Sequence, residues 1–293
     1  MNVTDFFEAI AKIALLLFVV TSMLAMGLSL TIPMIVQPLK NVKLVVLANF
    51  VLVPLLAFII TAIIPLEQSL KVGLIVLATA AGAPFLPKLV QGAKGNVAFG
   101  VGLMVLLMVV TIIYLPLVLP LLLPGVSVNP WDIAKSLIVL MLVPLTLGLL
   151  LKSHSPDTAA HWQPVMARIS SLTILVLLVV GLGLNVSNII ALIGTNGLLA
   201  LLIFIVGSLL IGLLLGGRDA GNRSVMGLGT AQRNVSAALV VTAQNFSGTN
   251  TLPFVLVGAL LLLLILLPTA KRLGARAPAA APAGAPPTAP VAK

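Results

Sequence analysis

Long runs of apolar residues alternate with short polar segments along almost the whole chain, up to about residue 270. Each run exceeds the roughly 18 residues that distinguish a membrane-spanning helix from a helix in a soluble core. The weaker alternating pattern of membrane β-barrel strands is absent from the sequence. The pattern therefore predicts an all-α, polytopic membrane protein of about nine transmembrane helices. The predicted spans cover residues 7–32, 42–64, 70–90, 97–123, 132–151, 165–186, 189–216, 224–246 and 252–270.

Turn signals and prolines set the predicted ends of these spans. Gly194-Thr195-Asn196-Gly197 interrupts the seventh run, so the membrane portion of that helix is expected to begin after the turn. The longest connection is predicted between Ser153 and Pro164. Prolines mark the other predicted ends, namely Pro33, Pro65, Pro124 and Pro130.

Composition agrees with a membrane protein and removes several kinds of site. The chain is 60% hydrophobic and 8% charged, with a mean hydropathy of +1.26, whereas soluble domains are about 25% charged. It has no cysteine, so disulfides and thiolate metal sites are excluded. Residues 1–273 are predicted to form one transmembrane domain. Residues 274–293, almost wholly Ala, Pro and Gly, are predicted to be a disordered cytoplasmic tail.

The formal net charge of +10 is interpreted as a topology signal rather than a nucleic-acid surface, because most basic residues fall in alternate loops. The opposite side carries only Lys12, Lys71 and Lys135, each three or four residues after an acidic residue that can pair with it. The side rich in basic residues should be cytoplasmic. This predicts an inner or plasma membrane protein with its N-terminus outside and its C-terminus inside. The basic residues of that side are Lys40, Lys43, Lys94, Lys152, Arg168, Arg218, Arg223, Lys271, Arg272 and Arg276.

The third span contains two prolines, Pro84 and Pro87, followed directly by Lys88. Proline removes a backbone donor and clashes with the carbonyl four residues earlier, so this helix is predicted to break. Broken backbone at membrane depth is tolerated only where it is buried in protein or lines a wet cavity. The alternatives are a simple packing kink at the prolines and a Lys88 side chain that extends to the cytoplasmic interface.

The eighth span carries Thr230 and the tract Gln232-Arg233-Asn234 just after Gly227 and Gly229, which are expected to loosen the helix. A charged side chain at the bilayer centre costs about 2.5 to 3.5 kcal/mol even on lenient insertion scales, so Arg233 is expected to be functional. Two broken helices in corresponding positions of two halves are typical of transporters with inverted repeats, whose substrate site lies where they meet.

Enzymatic and metal-binding functions have little support in the sequence. No nucleophile elbow, phosphate-binding glycine loop or metal-ligand helix motif is present. The Asp and Glu residues lie at span ends or in loops. His154, Asp157 and His161 share a loop, but two histidines without a fixed third ligand are a weak metal signal. We therefore predict neither an enzyme, nor a metal site, nor a bound cofactor.

Three stretches of the chain resemble the bile acid:sodium symporter family. They are residues 26–31, Met-Gly-Leu-Ser-Leu-Thr; residues 43–54, from Lys43 to Pro54; and residues 232–239, from Gln232 to Leu239. The resemblance implies a core domain and a panel domain built from inverted repeats, two crossing broken helices, and transport by alternating access. The chain is similar to the nine-span members of that family.

The resemblance also implies where sodium would bind. Family members use side-chain oxygens in the two crossing helices and the helix after the first, including one glutamate. The corresponding positions here read Leu86, Pro87, Gly100, Met104, and Leu228 or Gly229. Only Asn49, Thr230, Gln232 and Asn234 remain as side-chain oxygen donors. Sodium, the family's usual coupling ion, is therefore not supported by the residues present.

These observations lead to one predicted function and one alternative. The chain is predicted to be a secondary transporter of organic anions, in which Arg233 binds the anion while Gln232, Asn234, Asn49 and Thr230 help to orient it. Lys88 and Arg233 would supply the positive charge that sodium supplies elsewhere. The predicted partners are a small organic anion and the lipid bilayer, with no nucleic acid. The alternative is a membrane receptor or lipid-binding scaffold that does not transport.

Overall fold

The computed structural model describes residues 3–31, 42–123, 129–184, 186–187, 190 and 194–276. The predicted ends at Pro33 and Pro124 lie outside these residues. The helices are α1 (Val3–Ser29), α2 (Val42–Ile63), α3 (Gln68–Thr79), α4 (Leu86–Gly92), α5 (Val97–Leu122), α6 (Pro130–His154), α7 (Pro156–Leu184), α8 (Gly197–Leu215), α9 (Ala220–Ala231), α10 (Val235–Asn245) and α11 (Thr251–Arg276).

The described part of the chain contains seven helices that are long and apolar enough to cross a membrane: α1, α2, α5, α6, α7, α8 and α11. The protein is thus a polytopic, all-α membrane protein, as predicted. The third and eighth predicted spans are the pairs α3–α4 and α9–α10, each divided into two shorter helices. Helix α8 begins at Gly197, the last residue of the predicted Gly194–Gly197 turn. The total of nine spans and the inverted repeat remain predictions.

Two of the long helices contain a π-helical turn just before a Val-Pro pair. The turn Ala48–Leu52 precedes Pro54 in α2, and the turn Ile138–Leu142 precedes Pro144 in α6. Since Pro54 has no N–H, the carbonyl of Phe50 lacks its usual helical donor. The Tyr114 hydroxyl of α5 donates to that carbonyl instead, at 2.7 Å. A single tyrosine therefore supports the turn that carries Asn49.

Helices α1, α6 and α7 form what we term the panel layer, because α1 packs mainly against the other two. At the crossing of α1 and α6, Gly27 faces Gly148 with backbone against backbone. A Cβ atom on Gly27 would lie 2.9 Å from Leu149 N and 3.0 Å from Gly148 Cα. Glycine permits this close approach of two helices in a lipid environment. The remaining helices pack around the two interrupted pairs and form the core of the molecule.

The predicted connection from Ser153 to Pro164 is wrong. Helix α6 continues to His154, and α7 begins at Pro156 after Ser155 alone. Proline at the start of a helix and an acidic residue in the first turn, here Asp157, both favour this start. Pro164 consequently lies inside α7 rather than at its end.

The charged ends of the helices form fewer ion pairs than expected. Glu8 and Lys12 form the predicted pair, with 3.9 Å between Oε2 and Nζ. Glu67 instead accepts hydrogen bonds from Ser69 and Asn250, and no ion pair joins Asp132 to Lys135 in the described residues.

The C-terminal helix extends further than predicted. Helix α11 continues to Arg276, because Gly274 packs closely against the backbone of Gly92 and Ala93 at the end of α4. The prediction of disorder therefore begins three residues too early. Residues 277–293, the rest of the predicted tail, lie outside the described residues.

Candidate functional site

The two interrupted helices cross at their breaks. Helix α3 ends at Thr79 and α4 begins at Leu86, while α9 ends at Ala231 and α10 begins at Val235. Ala80 and Gln232, directly after the first helix of each pair, are extended, and Ala81 and Arg233 form an isolated antiparallel bridge. The backbone N–H of Asn234 donates to the Ala80 carbonyl at 2.9 Å. We call this pair of segments, residues 80–85 and 232–234, the crossing.

Local sequence explains the first break. Pro84 lies in the turn just before α4, and Pro87 lies in the first turn of α4, where a missing N–H costs no helical hydrogen bond. Gly82 has φ +82° and lies against α5, where a Cβ would come within 2.7 Å of Met108 Cα. Thr111 of α5 pairs with both backbone groups of Ala81, at 3.0 Å to its N–H and 2.9 Å to its carbonyl.

The second break does not arise from its glycines, contrary to the prediction. Gly227 and Gly229 both lie inside α9 and are buried. A Cβ on Gly227 would lie 2.6 Å from a Leu213 methyl group of α8, and one on Gly229 would lie 2.5 Å from a Leu103 methyl group of α5. These glycines allow α9 to pack closely, and the helix ends only at Ala231, after which Gln232 is extended.

Arg233 lies at the centre of the crossing and is fully buried. Its Nε donates to the Leu77 carbonyl at 3.1 Å, and its Nη2 donates to the Ala78 carbonyl at 2.7 Å. Its Nη1 donates to the Thr230 carbonyl at 3.0 Å and to Asn49 Oδ1 at 3.2 Å. The guanidinium therefore binds the last turns of both α3 and α9, where helix dipoles place partial negative charge.

Asn49 and Thr230 support this arrangement from neighbouring helices. Both are fully buried, and Asn49 Nδ2 donates to the Val45 carbonyl at 3.1 Å and to Thr230 Oγ1 at 3.3 Å. The amide orientation of Asn49 leaves its oxygen toward Arg233. In this conformation Asn49 and Thr230 contact Arg233 and each other, and their role in orienting an anion stays a prediction.

Gln232 and Asn234 lie on the opposite face from Arg233, because side chains alternate along an extended segment. Asn234 Oδ1 caps α10 by accepting from the Ala237 N–H at 3.1 Å. Its Nδ2 and Gln232 Oε1 are buried and have no hydrogen-bond partner. Gln232 retains 4% exposure, whereas Arg233 and Asn234 retain none. Buried polar groups without partners are rare, so one donor and one acceptor beside the crossing indicate a place for a polar ligand group.

Whereas Arg233 is fully buried, Lys88 lies in a different environment. Its side chain is exposed, and it lies 5.8 Å from the centroid of the Phe85 ring, within cation–π range. It forms no hydrogen bond with the described residues. The structure therefore does not bring Lys88 into the Arg233 cluster.

The charge of Arg233 has no carboxylate partner among the described side chains. Five of the six acidic residues have described side chains, and all five are exposed at helix ends: Glu8, Glu67, Asp132, Asp157 and Asp219. Arg233 is also the only charged residue among the described side chains that is buried. Carbonyl dipoles solvate the guanidinium, but they do not neutralise its unit charge.

Sequence reasoning missed two supporting residues, Thr111 and Tyr114. Thr111 is a polar residue in the middle of an apolar helix, and Tyr114 is the only tyrosine of the chain, one turn later. Both were detectable as isolated hydrogen-bonding groups at membrane depth. Their partners, Ala81 and Phe50, could not be identified without the fold.

Comparisons with known proteins agree with this architecture. The family model described as Sodium Bile acid symporter family matches residues 14–192, which is more than half of the chain. A search of curated proteins found no match.

Proposed function

Since this chain belongs to the sodium bile acid symporter family, we propose that it is a secondary transporter of small or amphipathic organic anions, working by alternating access. Its substrate site would lie at the crossing. The observation that carries this proposal is a fully buried arginine without a carboxylate among the described side chains. An uncompensated charge in a low-dielectric interior is costly, and a bound anion would compensate it.

Coupling to sodium finds no support in the residues of this chain. Positions that correspond to the family's sodium ligands carry Leu86, Met104 and Leu228, whose side chains are buried and apolar. A hard cation requires several oxygens, usually with a carboxylate. Here the carbonyls of Leu77, Ala78 and Thr230 converge on the guanidinium of Arg233 and accept its hydrogen bonds. We propose that this fixed cation takes the place of a mobile one.

Direct contact with the substrate is assigned to Gln232 and Asn234 rather than to Arg233. Four hydrogen bonds to protein oxygens occupy the guanidinium in this conformation. Gln232 Oε1 and Asn234 Nδ2 have unused hydrogen-bonding capacity on the other face of the same segment. Arg233 would thus attract the anion through its field, which is strong in a medium of low dielectric constant. Asn49 and Thr230 would hold Arg233 in place.

The proposed setting is the inner or plasma membrane, with the C-terminus in the cytoplasm. Its support is the bias of Lys and Arg toward one set of loops. Trp131 and Trp162, near the first turns of α6 and α7, are both exposed, as expected of side chains that anchor a helix at the interface.

The proposal can be tested by binding and counterflow in proteoliposomes, with bile acids such as taurocholate and keto acids such as pyruvate as labelled probes. Binding and flux without sodium are expected. The Arg233→Ala variant should lose both while still purifying as a folded protein, and Arg233→Lys should retain part of the affinity. If Arg233→Ala bound the anion as tightly as the unchanged protein, Arg233 would be structural.

The same experiment separates the alternatives. Binding without flux would favour the receptor or lipid-binding scaffold over a transporter. Flux that requires a sodium gradient would show that this chain keeps the family's usual coupling to sodium. Flux that follows a proton gradient would show coupling to protons instead.

A further inference from the structure

The fixed charge of Arg233 determines the net charge of the crossing, and this has consequences for the transport cycle. The guanidinium binds carbonyls of both crossing helices, Leu77 and Ala78 from one and Thr230 from the other. Four hydrogen bonds and full burial hold this charge inside the crossing in this conformation, and the charge is taken to stay there when the site opens to either side of the membrane. The crossing therefore carries one positive charge when empty and none when it holds a monoanion.

We infer that the protein is an exchanger of organic monoanions, in which the return of the empty carrier is the slow and voltage-sensitive step. The inference rests on the proposed function and adds its coupling mode. Moving a charge through a low-dielectric barrier is costly, whereas a neutral pair crosses with a smaller electrostatic penalty. The described part of the chain offers no buried carboxylate that could neutralise Arg233 in the empty state. The anion itself is the group that lowers the barrier.

The direction of the voltage effect follows from the sign of the charge. Alternating access shifts the barrier across the crossing, so the empty carrier moves one positive charge through part of the membrane field. A negative interior draws the empty site inward and opposes its outward return. It therefore favours cycles that release the anion outside and slows cycles that bring it in. Lys88, which is exposed, contributes less because solvent and ions screen it.

Proteoliposomes with a potassium diffusion potential set by valinomycin test this inference, with labelled taurocholate as the probe. Net uptake into vesicles without internal taurocholate is expected to be slower at negative than at positive interior potential. Relative to zero potential, a tenfold potassium gradient limits the effect to about tenfold, the value for one charge crossing the whole field. Uptake into vesicles preloaded with unlabelled taurocholate should be faster and nearly independent of the potential. Both protein orientations give the same sign.

Each outcome has a distinct meaning. Equal voltage dependence of exchange and net uptake, or exchange no faster than net uptake, would overturn the exchanger while leaving anion transport intact. A requirement for sodium would also overturn it. The absence of any binding or flux, for taurocholate and pyruvate alike, would remove the proposed function and the inference with it.

Two substitutions, one of the buried charge and one of an exposed charge, test whether the voltage effect depends on the buried charge. Arg233→Gln removes the fixed charge, so the carrier loaded with the anion, rather than the empty carrier, would move one charge through the field. Any remaining flux should lose its acceleration by internal anion, and exchange should become as dependent on the potential as net uptake. Arg168→Gln removes an exposed charge from α7, outside the crossing, and should change neither. If Arg233→Gln does not fold, the comparison of net uptake with exchange in the unchanged protein still decides the question.

Discussion

At the scale of single residues, the site depends on how Arg233 is held. Its hydrogen bonds reach Leu77 and Ala78, more than 150 residues earlier in the chain, and Asn49 on a third helix. All these acceptors are neutral oxygens. The positive charge is thus fixed in position but is not neutralised, so it can still attract an anion. A substitution at Asn49 that introduces a negative charge would change this.

Asn49→Asp is expected to weaken anion binding. A carboxylate at this position would form a charge-assisted pair with Arg233 and cancel its field. We expect the affinity for the probe anion to fall by about tenfold or more, equivalent to about 1.4 kcal/mol. Titration of the detergent-solubilised protein with the probe anion measures this affinity, with Asn245→Asp as a control that adds the same charge at the C-terminal end of α10. Equal losses in both variants would argue against the role of the Arg233 charge.

Tyr114→Phe is expected to lower stability by about 1 to 3 kcal/mol, because it leaves the buried Phe50 carbonyl without a donor while keeping the packed ring. The π turn that carries Asn49 should loosen, so anion affinity should fall as well. Thermal unfolding in detergent and binding of the same probe report these two effects. Unchanged unfolding would mean that water or another group replaces the hydroxyl.

At the scale of elements, the first break depends on the conformation of Gly82 and its contact with α5. Gly82 and Gly217 both have positive φ, at 82° and 77°. A Cβ on Gly82 would meet the backbone of Met108, whereas one on Gly217 would meet nothing within 4 Å. A comparison of the same substitution at these two positions therefore distinguishes the effect of backbone strain from the effect of close packing.

Gly82→Ala is expected to destabilise the protein clearly more than Gly217→Ala. Both substitutions place alanine in a left-handed conformation, which costs about 1 to 2 kcal/mol. Only Gly82→Ala also forces the first break away from α5, which should disturb the crossing and reduce flux. Thermal unfolding and counterflow of the two variants side by side measure the difference. Equal effects would show that the contact with α5 is adaptable.

The first break was predictable because its cause is local, and a polar tract marked the position of the second. Pro84 and Pro87 cannot continue a helix, and a polar tract at membrane depth requires a protein environment. The cage around Arg233 was not predictable, because Leu77 and Ala78 contribute only backbone carbonyls, which every residue has. The start of α7 at Pro156 was missed for another reason: Pro164 was interpreted as a boundary, although a proline can lie inside a long helix that is held by its neighbours.

At the scale of the whole molecule, the panel layer contacts the core next to the second crossing helix. Ser136 of α6 forms a hydrogen bond with Gln244 of α10, and α1 also packs against α10. Alternating access requires one body to move relative to another. The Ser136–Gln244 contact joins the two bodies in this conformation and should separate or slide in the opposite one.

A double variant, Ser136→Cys and Gln244→Cys, should make transport sensitive to a short bifunctional thiol crosslinker. The chain has no cysteine of its own, so the new thiols would be the only targets. Crosslinking is expected to abolish flux, and reduction of a disulfide-linked reagent should restore it. A control pair, Glu67→Cys and Asn250→Cys, lies within the core and should tolerate the same treatment. Persistent flux in the crosslinked Ser136–Gln244 variant would mean that the panel and core do not separate there.

One amide proton at the antiparallel bridge of the crossing can report, through its exchange rate, how often the structure opens. The Asn234 N–H points into a buried pairing with the Ala80 carbonyl, at a depth that bulk water reaches only when the structure opens. Deuterium uptake at that single position would therefore record how often water reaches the crossing. A ligand that closes the protein would slow deuterium uptake at the Asn234 N–H, and a ligand that opens the protein would speed it.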